Sequence, residues 1–239
     1  MSADILSVPL SLLRMCADAV FPPVCHSCNT ALLPRESRVA CPACLAAIVP
    51  VDEWDDAYRD AFARLNEERT VSDFIAAWYF EREGPMRALM HRLKYGGMTS
   101  IGEEFGRALG ERVLDAGLGG SDIVVPLPLH ASRMRERGYN QCEHIARGVS
   151  AVTGRPVRTD LLTRARFTPS QTPLSQSERR ENVRDAFALR RHAPRAVQGK
   201  TVLLVDDVVT TGATMRSCAG VLHRAGARAV VACAVAIAR

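Results

Sequence analysis

Long apolar runs are missing from the sequence, and this argues against a membrane protein. The apolar stretch near the start, residues 6–20, is interrupted by Pro9, Arg14 and Asp18, and Asp4 stands where a signal peptide would carry basic residues. We therefore expect neither a secretory signal nor a membrane span, and we expect the protein to be cytoplasmic. The apolar positions of this stretch instead predict an amphipathic helix.

Two common nucleotide-binding motifs are also missing. No Gly-x-Gly-x-x-Gly follows a predicted strand, as a dinucleotide site would require. The stretch Gly199-Lys200-Thr201 resembles the end of a P-loop, but Pro194 occupies the place of the motif's first glycine, and the stretch precedes its strand. These absences disfavour a nicotinamide enzyme and a nucleoside triphosphatase. With 47% hydrophobic and 24% charged residues among 239, the chain can nevertheless bury a sizeable core.

Arginine is concentrated in one part of the chain. Residues 131–195 contain 14 Arg, no Lys and six acidic residues, whereas the whole chain has a net charge of +5. Guanidinium groups bind phosphate through paired hydrogen bonds. The segment therefore indicates an anionic ligand, either a phosphorylated small molecule or nucleic acid, with a solvated surface of ordinary ion pairs as the alternative.

Four of the eight cysteines form a paired motif. Cys25 and Cys28 make one Cys-x-x-Cys, Cys41 and Cys44 make a second, and twelve residues separate the two. Two such knuckles can close a tetrahedron of thiolates around Zn²⁺ and leave no position open for a substrate. We therefore predict a structural zinc ribbon, with two redox pairs or four buried thiols as the alternatives.

The end of the chain reads as a strand–helix–strand unit. Residues 201–205 and 229–238 predict two buried strands, and residues 213–225 predict a helix with one apolar side between them. Near-continuous apolar strands joined by a helix are typical of a parallel sheet. Shorter apolar runs at residues 74–80 and 122–126 predict further strands. The predicted class is therefore α/β.

The loop after the first of these two strands carries the strongest functional signal. Asp206 and Asp207 follow the strand at its carboxyl end, where open α/β sheets bind ligands. The start of the next helix offers main-chain N–H groups, hydroxyls and a glycine: Thr210, Thr211, Gly212, Ala213 and Thr214. Such a helix start favours a phosphate, and the carboxylates suit ribose hydroxyls or a metal-bound diol. The alternative is a plain helix cap with surface ion pairs.

Residues 202–214 resemble the signature that binds phosphoribosyl pyrophosphate (PRPP) in type I phosphoribosyltransferases, and all thirteen positions match it. Nearly the whole chain resembles the ComF family, also called the GntX-type family, which is named for bacterial competence. The stretches that carry this resemblance are residues 93–97, 125–130, 135–141, 171–174, 178–182 and 186–187, with the Asp206-Asp207 loop and the cysteine module.

The resemblance implies a fold and a set of ligands. A type I phosphoribosyltransferase-like domain, with a parallel sheet and flanking helices, would follow a small zinc-ribbon module. Its ligand would be PRPP or a related phosphoribosyl compound, bound with Mg²⁺. Residues 125–132 would form the loop on the pyrophosphate side, and residues 164–182 would form a flexible loop that closes over the substrate.

The resemblance also implies roles for individual residues. Asp206 and Asp207 would act at the reacting centre. The charge of the leaving pyrophosphate would be stabilised by four arginines: Arg135, Arg137, Arg179 and Arg180. The ligand would be held by the residues of the loop from Thr210 to Thr214, with Lys94, Gln171 and Asn182. No side chain stands out as a general base.

The predicted organisation has four parts. They are an N-terminal amphipathic helix (1–22), the zinc ribbon (23–50), an acidic linker (51–68) and the phosphoribosyltransferase-like domain (69–239). Three functions remain open: transfer of a phosphoribosyl group from PRPP to an unknown acceptor, a non-catalytic competence role that binds single-stranded DNA or competence proteins, and PRPP sensing without turnover. Whether the protein is an enzyme also stays open at this point.

Overall fold

A parallel sheet forms the centre of the molecule. The computed structural model describes residues 22–33, 37, 39–164 and 186–239. In these residues four strands pair in parallel, in the spatial order β1 (Asp73–Phe80), β6 (Ala229–Ala238), β5 (Thr201–Val209) and β2 (Ile123–Pro126). This sheet confirms the predicted α/β class.

Both faces of the sheet are covered, which explains why its strands are almost continuously apolar. Neighbouring residues of β5 point to opposite faces, so Leu204 packs with Phe74 in one core and Leu203 packs with Ile75 in the other. A sheet buried on both sides positions its carboxyl-end residues rigidly, and those residues include the acidic pair.

Helices and one hairpin surround the sheet. The helices are α1 (Pro42–Ala46), α2 (Asp56–Leu65), α3 (Pro85–Tyr95), α4 (Thr99–Asp115), α5 (Ala131–Arg137), α6 (Gln141–Thr153), α7 (Ala193–Val197) and α8 (Ala213–Arg224). Strands β3 (Leu162–Arg164) and β4 (Phe187–Leu189) pair in antiparallel fashion. Across the described ranges, no helix combines the length and the apolar character needed to cross a bilayer.

Helices α4 and α6 cross at glycines. A Cβ atom added at Gly106 would lie 2.1 Å from the carbonyl oxygen of Ile145, and one added at Gly148 would lie 2.2 Å from that of Glu103. Because glycine has no side chain, the two helix backbones touch directly at these positions, and neither position tolerates a larger residue. This contact fixes α6, and the first turn of α6 reaches the acidic pair.

The predicted linker, residues 51–68, differs from the structure, where it contains α2. Asp55 caps this helix by accepting a hydrogen bond from the main-chain N–H of Ala57. The apolar side of α2 buries Ala61 and Leu65 in the core. The many acidic residues suggested a linker, but two of them, Asp56 and Asp60, lie on the exposed side of this amphipathic helix, and the others flank its ends.

Two further boundaries differ from the prediction. Strand β5 continues to Val209, where the sequence predicted a loop from residue 206, because the long strand β6 supplies parallel partners as far as Ile237. Arg164, predicted to begin the flexible loop, belongs to β3 instead and pairs with Phe187 of β4. The predicted N-terminal helix at residues 6–20 lies outside the described residues.

Candidate functional site

The two adjacent acids lie in the last part of β5, at the carboxyl edge of the sheet. Asp207 is buried, with 6% of its surface exposed. Its Oδ2 atom lies 2.9 Å from Nζ of Lys94 and accepts a hydrogen bond from Nε2 of Gln141 at 3.0 Å. A cation and an amide therefore hold this carboxylate in position.

Asp206 has a different environment. Its Oδ1 atom accepts hydrogen bonds from Sγ of Cys142 at 3.4 Å and from the main-chain N–H of Asp207 at 2.8 Å. Burial, followed by the neighbouring charge of Asp207, raises the pKa of Asp206 to about 7. Asp206 is therefore close to its titration midpoint at neutral pH.

The start of α6 supports both acids, and sequence analysis did not assign it this role. Asn140 caps the helix by accepting from the N–H of Cys142, and its amide donates to the carbonyl of Leu127. Gln141 and Cys142 then bind one acid each. Burial raises the pKa of Cys142 well above its usual value, so this thiol is a hydrogen-bond donor and not a thiolate nucleophile. The sequence feature that could have indicated this role is Gln141, the last residue of the 135–141 stretch that carries the family resemblance.

The loop after β5 forms the start of α8. Thr210 and Thr211 are exposed, whereas Gly212 is buried and has a φ of 72°. A side chain at Gly212 would meet Leu65 at 2.8 Å, so both the backbone angle and the contact with α2 require glycine. Gly212 is the N-cap and has no side chain to accept from the first N–H groups of α8, and the N–H of Ala213 donates to Oγ1 of Thr211 at 3.5 Å.

The predicted arginines have different surroundings. Arg137 donates to Oε1 of Gln141 at 2.8 Å, and its guanidinium lies 4.9 Å from the ring centroid of Tyr95. It therefore supports the acidic pair through Gln141. Arg135 is exposed on α5. The other predicted site residues lie outside the described part of the chain: Gln171, Arg179, Arg180 and Asn182.

The four cysteines of the paired motif converge, as the spacing predicts. The Sγ atoms of Cys25, Cys28, Cys41 and Cys44 all lie within 4.8 Å of one another, and those of Cys28 and Cys41 are 3.7 Å apart. Four sulfurs bound to Zn²⁺ at about 2.3 Å would be separated by a similar distance. The donor set and its geometry are therefore consistent with a structural zinc.

The cysteine module is attached to α3 through Arg92. The Arg92 side chain donates to the carbonyl of His26 at 2.9 Å and to Oδ1 of Asn29 at 3.2 Å. Next to this contact lies an open cleft of about 820 Å³, lined partly by Arg87, His91 and Tyr95. A basic and aromatic surface thus adjoins the helix that carries Lys94.

Comparisons with known proteins agree with this architecture. A family model described as "Phosphoribosyl transferase domain" matches residues 136–239. "DNA utilization protein YhgH" of Escherichia coli (strain K12) is 37% identical over 150 residues, which cover 61% of this chain and 64% of that protein. "Competence protein F" of Haemophilus influenzae is 31% identical over 146 residues, covering 59% and 63%. "Competence protein ComFC" of Bacillus subtilis is 24% identical over 215 residues, covering 87% and 81%.

These similarities agree with the resemblance of the chain to the ComF family. The matched region spans a little under two thirds of the Escherichia coli and Haemophilus relatives. Among solved structures, the chain is 22% identical to one titled "Structure of the allosteric regulatory enzyme of purine biosynthesis", with a TM-score of 0.40 over 60% of this chain and 29% of the other. The central parallel sheet of this chain and the matching family model give the phosphoribosyltransferase fold.

Proposed function

We propose that this protein binds PRPP, or a closely related phosphoribosyl compound, at the carboxyl edge of its sheet. The observation that carries the proposal is the placement of two carboxylates, Asp206 and Asp207, a few residues before a helix start that has a glycine N-cap and exposed threonine hydroxyls. The carboxylates suit the hydroxyls of the ribose, and the helix start suits the 5′-phosphate. Lys94, next to Asp207, adds a cation near the same ligand.

Mg²⁺ fits this site as a partner of the ligand. Magnesium binds through one or two carboxylates together with phosphate oxygens. In the described residues, the hydrogen bonds of Asp206 fall on Oδ1, which leaves Oδ2 for a hydrated cation. When bound, Mg²⁺ neutralises phosphate charge. The protein's own contribution is to orient the ribose through the acidic pair and to hold that pair with Gln141 and Cys142.

A transferase activity would follow from the same arrangement. Displacement at the ribose C1 atom develops positive charge on the sugar, and in this proposal the buried carboxylate of Asp207 stabilises that charge. Turnover of PRPP and transfer to an acceptor are parts of this proposal. A structural zinc bound by the four cysteines is a further part of it.

Calorimetric titration of PRPP with Mg²⁺ tests the proposal directly. We expect binding to the wild-type protein and at least a tenfold loss for Asp207→Asn, which removes a buried charge at the ligand. Asp115→Asn, on an exposed part of α4, is the matched control and should bind normally. No binding at millimolar PRPP would refute the proposal.

A second candidate, binding of single-stranded DNA, is favoured by the cleft beside the cysteine module. The ring centroids of His91 and Tyr95 lie 5.1 Å apart, Tyr95 is 50% exposed, and Arg87 and Arg92 lie along the same cleft. Exposed rings with neighbouring cations are typical of surfaces on which bases stack. The names of the relatives, which refer to competence and DNA utilization, agree with such a partner.

Fluorescence anisotropy with a labelled oligonucleotide tests this second function. We expect affinity to fall with salt, with a slope that reflects the contacted phosphates, and to fall about tenfold in Tyr95→Ala through lost stacking. Asp207→Asn should retain DNA binding, because Asp207 is not part of the lining of the cleft. Equal affinity of wild type and Tyr95→Ala would exclude this surface.

A further inference from the structure

An open cleft of about 600 Å³, the α7–α8 cleft, lies at the edge of the sheet opposite to the acidic pair. One wall is the end of α8 at Arg224, from which the chain continues into β6. The other wall is α7 with Gln198, just before β5 begins. The cleft therefore lies at the amino ends of β5 and β6. Its lining shares no residue with the acidic-pair site or with the cleft beside the cysteine module.

The α7–α8 cleft combines apolar side chains with positive charge. Its apolar lining consists of Leu189, Pro194, Val221 and Ala225. Arg195 and Arg224 are exposed in the same lining, which contains no acidic residue among those described. Neither guanidinium has a hydrogen-bond or ion-pair partner in the part of the chain that the structure describes. The lining therefore suits an apolar side chain that is flanked by carboxylates.

The chain itself carries such a side chain at Trp54. With 84% of its surface exposed, Trp54 has the highest exposure of the large hydrophobic residues in the described ranges. It lies between Asp52-Glu53 and Asp55-Asp56, so residues 52–56 contain four acids and no base. Tryptophan and arginine are the residues that most often dominate the binding energy of protein interfaces. The Trp54 turn and the α7–α8 cleft are thus complementary in both charge and polarity.

The turn that carries Trp54 is anchored to the sheet. Asp55 accepts hydrogen bonds from the hydroxyl of Tyr79 at 2.9 Å and from the guanidinium of Arg239 at 2.7 Å. Oδ1 of Asp52 accepts from the main-chain N–H of Trp54 at 2.9 Å. The indole is therefore presented on an ordered support, which reduces the entropy lost when it binds.

Trp54 and the α7–α8 cleft lie at opposite ends of the strands. Tyr79, which holds the turn, is the next-to-last residue of β1, and β1 runs parallel to β6. The eight residues of β1 extend roughly 26 Å, so Trp54 does not reach the cleft of its own chain.

We propose that Trp54 and its flanking carboxylates dock in the α7–α8 cleft of a second copy of this chain. The contact is head-to-tail, because the two surfaces that meet are different, so copies add in a row or close a ring. It does not depend on the binding of PRPP, since neither surface includes a residue of the acidic-pair site.

Sedimentation of the full chain over a range of concentrations tests this association. The average mass of the wild type should rise with concentration up to about 1 mM, since contacts of this size are weak. Trp54→Ala removes the docking side chain, and Arg224→Glu reverses a charge in the cleft. Each variant should remain a monomer where the wild type associates. Arg107→Glu, which changes an exposed arginine on α4 outside the cleft, is the matched control and should associate like the wild type.

A mixture of the two variants gives the sharper test. Trp54→Ala keeps an intact cleft, and Arg224→Glu keeps an intact Trp54, so together they form one head-to-tail contact and no second one. The mixture should therefore form a 1:1 complex, although neither variant associates alone. Its tryptophan emission should shift to shorter wavelength as Trp54 leaves water, because the other tryptophan, Trp78, already packs against Phe105.

A wild type that stays monomeric up to about 1 mM would overturn the proposal, as would association of Trp54→Ala equal to that of the wild type. A mixture that stays monomeric while the wild type associates would also overturn it, because the copies would then meet through another surface. Arg195→Glu, at the other arginine of the cleft, replaces Arg224→Glu in both tests if circular dichroism shows that Arg224→Glu does not fold.

Discussion

Replacing Asp206 with asparagine should change how stability depends on pH. Burial and the charge of Asp207 raise the pKa of Asp206 from its ordinary 3.8 to about 7. Between these values the native state holds a proton that the unfolded chain has lost. Wild-type stability therefore falls as pH rises through this window, by about 1.4 kcal/mol per unit.

The Asp206→Asn variant lacks this titration. Its Oδ1 atom can still accept from Cys142 and from the N–H of Asp207, so the local structure should persist. The free energy of unfolding of the variant minus that of the wild type should rise by about 2 kcal/mol between pH 5 and pH 7, and then level off. The difference removes contributions common to both proteins, such as those of histidines.

Urea denaturation at half-unit pH steps measures this difference. The exposed carboxylate of Asp115 offers a control, because Asp115→Asn should give a difference that is flat across the same window. A flat difference for Asp206→Asn as well would mean that Asp206 ionises normally in the native state, and would refute the electrostatic reasoning.

Three further predictions concern the framework of the site. Gly106→Ala should destabilise the protein by about 2–3 kcal/mol, because its Cβ would meet the carbonyl of Ile145. Gly120→Ala is the control and should be nearly neutral, since no atom lies within 4 Å of its added Cβ. Similar urea midpoints for the two variants would contradict the contact between α4 and α6. Purified protein should carry one zinc per chain by mass spectrometry. Chelation should raise hydrogen exchange in α3, because Arg92 connects that helix to the cysteine module. A chain that folds fully without metal would disprove a structural role for zinc. Gln141→Met should weaken PRPP binding about tenfold by calorimetry, because Asp207 loses a hydrogen bond, and unchanged affinity would show that Lys94 alone suffices.

The sequence was most informative where a pattern is local. The spacing of the four cysteines indicated their convergence, because a Cys-x-x-Cys turn places two sulfurs on one side. The apolar runs indicated the α/β class and the strands at residues 74–80 and 229–238. The order of acids, threonines and glycine after an apolar strand indicated a ligand loop, because the chemistry of that loop lies in consecutive residues.

Tertiary structure decided what lies around the acidic pair. Lys94 and Gln141 reach Asp207 from two different helices, and no local pattern states that these helices meet the same strand end. The burial that raises the pKa of Asp206 likewise depends on the packing of the whole sheet. Composition suggested a linker where the structure has α2, because charged residues on one side of a helix resemble a linker until the other side finds a core.

The sequence by itself thus determined which residues can bind a metal or a phosphate, since that capacity belongs to side chains and to short turns. Only the fold decided which of them share a site. The close crossing of α4 and α6 at Gly106 and Gly148 brings the first turn of α6 to the end of β5. Non-local packing of this kind sets distances between residues far apart in the chain, and those distances determine charge state and ligand geometry.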